Sequence, residues 1–239
     1  MMLTVVSALG STPRSAGARM LVVPDDNGHQ QVGTIGGGKT ELRAVQDALQ
    51  LFQEKKGDLR DYDLSLKSGQ ACGGKATVLH EYIGPSFRLV IFGAGHVAGE
   101  LFITLRDAPF AVTVVDDRPE WNSEERFPHA SRISDWQSGI KYAVSEPELT
   151  FACVMTYSHK LDYEVCRGLM ENPPSYVGLM GSAGKKKLLF GKLREDGISE
   201  DRIAAIHCPI GIGDLGKTPS LVAVSVAAQL LQEAAGRES

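Results

Sequence analysis

With 239 residues, 43% hydrophobic and 23% charged, the chain has an ordinary globular composition; it is long enough for two domains and needs no disulfide or metal staple to hold a core. A formal charge of -4 argues against a sequence-independent nucleic-acid binder, which needs a basic surface, and the densest basic run, Lys185 to Lys187, is short enough to be a solvated helix face. No apolar stretch approaches the roughly 20 residues of a membrane span, and the first residues carry neither a basic leader segment nor a cleavage site, so no membrane association is expected.

In chain order, Leu3–Ala8 reads as a strand and the Gly10–Arg14 run as a turn. Ala18–Val23 is a second strand, ended by the turn signal Pro24–Gly28, and Gln30–Ile35 runs into the triple glycine Gly36, Gly37 and Gly38. Leu42, Val45, Leu49 and Phe52 recur at helical spacing within Thr40–Lys55, and Gly57-Asp58 ends that helix. A polar strand over Tyr62–Leu66, a glycine cluster at Gly73 and Gly74, and a strand over Ala76–Tyr82 complete a first half of α+β character. Gly84 to Ser86 is the natural linker, which divides the chain into residues 1–84 and 87–239.

Beyond it the pattern becomes strand, glycine turn, helix, repeated. Leu89–Phe92, Ala111–Val115, Phe151–Met155 and Tyr176–Met180 are continuous apolar runs, as strands buried on both faces should be. Helices are expected over Val97–Leu105, Asp162–Glu171 and Lys185–Asp196, with a further strand over Ile203–Ile206. Thr218-Pro219 supplies an N-cap and first-turn proline for a last helix ending at Gly236. Its Leu221, Val224 and Leu231 point to more than one side, as in a helix buried in a core or a dimer seam. Such alternation predicts a parallel, Rossmann-like sheet, hence an α/β chain whose smaller N-terminal domain is α+β.

Gly93-Ala-Gly-His-Val-Ala98 fits G-x-G-x-x-[GA] between a strand and a helix. Gly93 allows the tight turn, Gly95 lets a pyrophosphate approach the backbone, and Ala98 lets the helix lie on the sheet. At the end of the next strand Asp116 or Asp117 is placed to bind ribose hydroxyls, and Arg118 to stack on a base or pair with a phosphate. A dinucleotide, NAD(P), or another nucleotide is therefore a candidate ligand, with His96 at its edge. Thr156 to His159, with Asp162, and Gly181 to Lys185, including Ser182, leave the same carboxyl edge, where open α/β sheets place ligands. There His159 suits acid/base or ligand contact, or else caps the helix against Asp162, and Lys185 suits an anion partner or a solvated helix start. In the first half, Gly33 to Glu41 is an anion cradle in principle, without the spacing of an ATP-binding P-loop.

Cys72, Cys153, Cys166 and Cys208 form no Cys-x-x-Cys pair, which argues against a disulfide framework or zinc ribbon and for a reducing cytoplasm. Cys72, beside bare glycine backbone, is either an accessible thiol or a small buried side chain at a tight turn.

Eight motifs occur in a fixed order: Gly10–Arg14, Gly33–Gly38 with Glu41, Cys72–Gly74, Phe92–Val97, Val115–Pro119, Ser158–Tyr163, Gly178–Ser182 and Cys208–Gly211. Together they resemble the XdhC/CoxI family of xanthine dehydrogenase accessory proteins over nearly the whole chain. The resemblance implies a carrier and insertion chaperone, not an enzyme with turnover. Such a protein binds the molybdenum cofactor (molybdopterin), supports its sulfuration with a cysteine desulfurase, and delivers it to the molybdenum-binding subunit of xanthine dehydrogenase in purine catabolism. A homodimer is expected, with cofactor contacts at Gly36, Gly37, Gly38, Glu41, Cys72, Gly73, Gly74, Gly93, Gly95, His96, Asp116, Arg118, His159, Asp162, Ser182 and Lys185. Cys72 becomes a candidate molybdenum contact, thiolate being a soft ligand. Relatives often carry two cysteines there; this chain has Ala71 before Cys72, so a dithiol mechanism is not expected. Competing expectations are an NAD(P)-dependent oxidoreductase using Gly93, Gly95 and Asp116 with His159 as proton donor, and a nucleotide-sensing regulatory module.

Overall fold

A computed structural model describes residues 1–25, 27–64 and 73–237. They fall into two units, Met1–Gly84 and Pro85–Ser239, each with its own sheet.

In the first unit, strands β1 (Met2–Leu9), β2 (Arg19–Asp25), β3 (Gly28–Gly33), β4 (Asp58–Asp63) and β5 (Lys75–Glu81) form an antiparallel sheet in the order β3-β2-β1-β5-β4. Period-2 alternation puts Leu3, Val5, Met20, Val22 and Val78 on one face. Helix α1 (Gly38–Glu54) covers that face with Ala44, Val45, Ala48 and Leu51. The polar strand lies earlier than its composition suggests. Asp58 already pairs with His80, so the ladder opens immediately after Gly57 and closes at Asp63.

In the second unit, β6 (Phe87–Phe92), β7 (Phe110–Val115), β8 (Ser131–Ile133), β9 (Thr150–Val154), β10 (Tyr176–Leu179) and β11 (Ile206–His207) are all parallel, in the order β11-β10-β9-β6-β7-β8. Counted within the unit this is 3-2-1-4-5-6, the doubly wound Rossmann order. Every residue of β6 is buried. Leu89 and Ile91 pack with α2 (His96–Thr104) and α7 (Pro219–Ala235), while Val90 and Phe92 face α3 (Trp136–Ser145), α4 (His159–Leu169) and α5 (Ala183–Glu195).

Two elements depart from the sequence reading. Ile203 belongs to a short helix, α6 (Glu200–Ala204), and the edge strand is only Ile206–His207. Ser199 and the acidic Glu200 and Asp201 favour a helix start at that point. Edge strand β8 and helix α3 also appear, the latter capped by Asp135, whose carboxylate accepts the Ser138 N–H at 2.7 Å. The last helix begins after Thr218, as read, but without a side-chain cap bond. It buries Val226, Ala227 and Leu230 and leaves Leu221, Val224 and Leu231 exposed. No helix among the described residues is long and apolar enough to cross a membrane.

Candidate functional site

The carboxyl ends of β6 and β9 flank the point where strand order reverses, the crevice in which doubly wound sheets hold ligands. Gly93 leaves β6 at φ +106°, and a Cβ there would stand 2.4 Å from the Met155 carbonyl oxygen. Only glycine fits. Gly95 differs: its φ is -67°, and a Cβ would meet nothing within 4 Å. It caps α2 without any side-chain bond, so the first amides of that helix face open space.

That space is a cavity of about 390 Å³ lined by Gly95, His96, Arg118, Trp121, Thr156 and Tyr157, with Met155, Met180 and Pro219. Among the described residues its lining holds no carboxylate. His96 is exposed on the first turn of α2, with its ring edge-on to Trp121 at 5.2 Å.

Asp116 does not serve as the sequence reading expects. It is 0% exposed, and its oxygens are already bonded. Oδ2 accepts the Ala94 N–H at 2.8 Å and Arg118 Nη2 at 2.7 Å; Oδ1 accepts Arg118 Nε at 2.8 Å and the Arg118 N–H at 3.0 Å. Burial works to raise its pKa, but these bonds and the Arg118 charge outweigh it and hold the carboxyl below the ordinary aspartate value. A carboxylate so occupied has no free oxygen for a ribose diol. Arg118, forked onto Asp116, lies over Tyr157 at 4.2 Å and Trp121 at 5.0 Å.

A second cavity of about 460 Å³ is lined by His159, Tyr163, Ser182, Lys185, Leu188 and Lys192, among others, and shares Met180 with the first. Ser182 accepts the Lys185 N–H as N-cap of α5. Lys185 Nζ lies 2.5 Å from Asp162 Oδ2 and donates to the Met180 carbonyl at 2.6 Å. The Asp162 Oδ1 atom accepts the Thr156 N–H at 3.0 Å and the Thr156 hydroxyl at 2.8 Å. His159 is 85% exposed, with Nδ1 3.9 Å from Asp162 Oδ2, so the carboxylate's close partners are Lys185 and Thr156 rather than the imidazole. Lys185 is thereby an internal ion-pair partner as well as a cavity wall.

In the first unit, three motifs far apart in sequence converge. A Cβ on Gly36 would meet Pro13 at 2.5 Å, and one on Gly74 would meet the Ser11 carbonyl at 2.5 Å. The glycine loop is anion-binding, as read, but the anion is its own. Glu41 Oε2 accepts the Thr34 hydroxyl at 2.5 Å and the amides of Ile35, Gly36 and Gly37 at 2.9, 3.2 and 3.0 Å. Burial pushes the Glu41 pKa up, yet these four bonds together bring it below its ordinary value. Helix α1 begins at Gly38 (φ +67°) immediately after this nest. Gly73 is exposed, and it and Gly74 exchange backbone hydrogen bonds with Leu64. Cys72 lies outside the described residues. Cys153, Cys166 and Cys208 are buried free thiols, and burial raises the pKa of each. No group of three or more His, Cys, Asp or Glu side chains suited to a metal ion occurs among the described residues.

One histidine that the sequence leaves as structural sits in a buried network. His80 is fully buried on β5, its Nε2 2.9 Å from the Tyr62 hydroxyl, which donates to Asp47 at 2.7 Å. Alternation along β5 places His80 on the core face with Val78, the signal that a lone histidine would otherwise lack.

Comparison with known proteins agrees with this architecture. Residues 89–230 match the XdhC Rossmann domain and residues 1–63 match the XdhC and CoxI family. A protein of Escherichia coli K12 described as uncharacterized protein YqeB is 33% identical over 97% of this chain and 43% of its own length. A protein of Bacillus subtilis 168 described as a probable subunit of xanthine dehydrogenase is 30% identical over 63% of this chain and 44% of its own length. The chain thus spans less than half of either relative. A crystal structure described as a xanthine dehydrogenase from Bacillus halodurans shares the fold, with a TM-score of 0.56 and 22% identity over 99% of this chain and 91% of that one. With more than half its length matched by the Rossmann-domain model, and its amino-terminal unit by the companion one, the chain belongs to the XdhC family.

Proposed function

We propose that this chain is an accessory protein in the maturation of a xanthine dehydrogenase-type enzyme, and that it carries the molybdenum cofactor as cargo. The observation that carries the reading is the open crevice at Gly95, free of carboxylates, in a chain of the XdhC family. A phosphate accepts hydrogen bonds from the uncapped amides of α2, and the apolar Met180 and Leu188 beside Lys192 suit a flat heterocycle with polar edges. Cys72, one residue before exposed Gly73, supplies a soft thiolate for molybdenum or for sulfur handling during sulfuration with a cysteine desulfurase. A homodimeric carrier and delivery to the molybdenum-binding subunit belong to the same reading. Of the two carboxylates that the NAD(P) oxidoreductase reading offers to a ribose, Asp116 is turned inward and the exposed Asp117 meets the Tyr157 hydroxyl, which favours the carrier reading.

The test is what copurifies. Protein made in cells that synthesise the cofactor is expected to carry molybdenum and fluorescent pterin in near-equal amounts, and Cys72→Ala to lose most of both. Molybdenum and pterin at the level of an unrelated control protein would overturn the carrier reading.

A further inference from the structure

We infer that the adenosine half of the Rossmann crevice is closed by the chain's own side chains, and that Tyr157 and Arg118 set the ligand class by excluding dinucleotides. The inference rests on the carboxyl edge of the second unit being the ligand site.

In the doubly wound order the phosphates sit at the first glycine turn and the adenosine side lies toward the second strand, where an acidic residue takes the ribose. Here that side is β7, its acidic residue Asp116, and the facing wall is the loop after β9. Both walls are joined. The Tyr157 hydroxyl reaches both Asp117 oxygens at 3.2 Å, binding the β9 loop to the β7 loop. Between them the side chains form a row of rings and cations. Trp136 meets Tyr157 at 6.3 Å, Arg118 lies on Tyr157 at 4.2 Å and on Trp121 at 5.0 Å, and Arg126 lies on Trp121 at 4.5 Å. A guanidinium in contact with two rings occupies the stacking place that an adenine would need. The two Asp116 oxygens, which a diol would need, are bonded to Ala94 and to Arg118.

What stays open is the glycine turn and the neighbouring cavity beyond Met180, with Lys192 and His159 on its rim. The ligand class is therefore a phosphate ester whose organic part runs from Gly95 toward β10, with no adenosine arm. Tyr157 is 53% exposed, so its ring is kept for its contacts across the crevice and contributes little to a core.

Removing that ring should vacate one face of Arg118 for an adenine. The experiment titrates the full chain with AMP and with NAD by isothermal calorimetry. The wild-type protein is expected to bind either at least ten-fold more weakly than Tyr157→Ala does. Tyr157→Phe, which keeps the ring and loses only the Asp117 bond, should behave as wild type. Wild-type affinity for AMP or NAD equal to that of Tyr157→Ala, including no measurable binding by either, overturns the closure. A circular dichroism spectrum and melting profile for Tyr157→Ala within those of wild type confirm that the comparison is between folded proteins. The copurification test above is separate: wild-type protein with molybdenum and pterin at control level, together with a ten-fold gain in nucleotide affinity in Tyr157→Ala, removes the carrier reading alone, and copurified cofactor without that gain removes the closure alone.

Discussion

Lys185 Nζ lies 2.5 Å from Asp162 Oδ2, and the carboxylate it meets is only 1% exposed. The pair ties the first turn of α5 to α4, and through Asp162 Oδ1 it fixes the loop that begins at Thr156. Two walls of the crevice thus share one ion pair. Removing one partner of a buried pair strands the other charge, at a cost of about 3–5 kcal/mol. Lys185→Met should therefore destabilise the second unit by about 3 kcal/mol in urea unfolding. Combining it with Asp162→Asn should cost less than the sum of the two single changes; strict additivity would show that the two groups are not coupled.

The two glycines of the turn should separate under substitution. Gly93→Ala forces a left-handed backbone on a residue whose Cβ meets a carbonyl, and about 3 kcal/mol of stability should be lost. Gly95→Ala meets neither obstacle and should leave the melting temperature within about 2 °C of wild type. Its methyl group instead stands in the crevice, and copurified pterin should fall at least ten-fold. An unchanged pterin content would place the phosphate elsewhere.

Glu41 makes the first unit acid-sensitive. Its folded pKa lies below the ordinary 4.5, so the unfolded chain binds the proton more readily. The stabilisation is present above pH 4.5 and is lost as pH falls through the folded value. Glu41→Gln should unfold more easily at pH 7, by about 2 kcal/mol given charge-assisted bonds to three amides and a hydroxyl. It should also show a flatter stability profile as pH falls below about 4.5. A variant whose acid limb retains the wild-type slope would rule Glu41 out as its source.

His80 adds a second limb at higher pH. Burial depresses its pKa from 6.5, Asp47 opposing and Arg60 reinforcing the shift. The Tyr62 hydroxyl donates to Asp47, so His80 Nε2 donates to Tyr62, and Nδ1 is left without a hydrogen-bond partner among the described residues. Charging the ring would bury a second N–H with nothing to accept it. Stability is full above pH 6.5 and declines as pH falls toward the folded pKa, because the unfolded chain takes up the proton first. Following the His80 Hε1 resonance against pH by NMR should give a midpoint below 6.5. A midpoint at or above 6.5 would contradict this.

Much of the second unit is legible because its strands are buried on both faces. The runs at Leu89, Ala111, Phe151 and Tyr176 all proved to be strands to within one or two residues. Ser131–Ile133 carries no such signal, being a three-residue polar edge strand, and Ile203 is a core residue that helix and strand patterns serve equally well. The site was legible as positions but not as partnerships. Motif spacing puts Asp116, Arg118, Asp162 and Lys185 on one edge; it is silent on Asp116 facing Ala94 and on Lys185 facing Asp162, since hydrogen-bond partners are chosen by side-chain geometry. Likewise, Gly33 to Glu41 signals an anion cradle, and the carboxylate that fills it stands at the end of the same motif.

An anion carried on the next turn of the chain is presented at an effective concentration that no solute matches, so the Thr34–Gly37 nest is saturated by Glu41 whatever the buffer contains. The amides at Gly95 have no such tethered carboxylate among the described residues. One protein therefore holds two glycine turns of opposite temperament: one sealed by its own charge, and one left open at the mouth of a crevice.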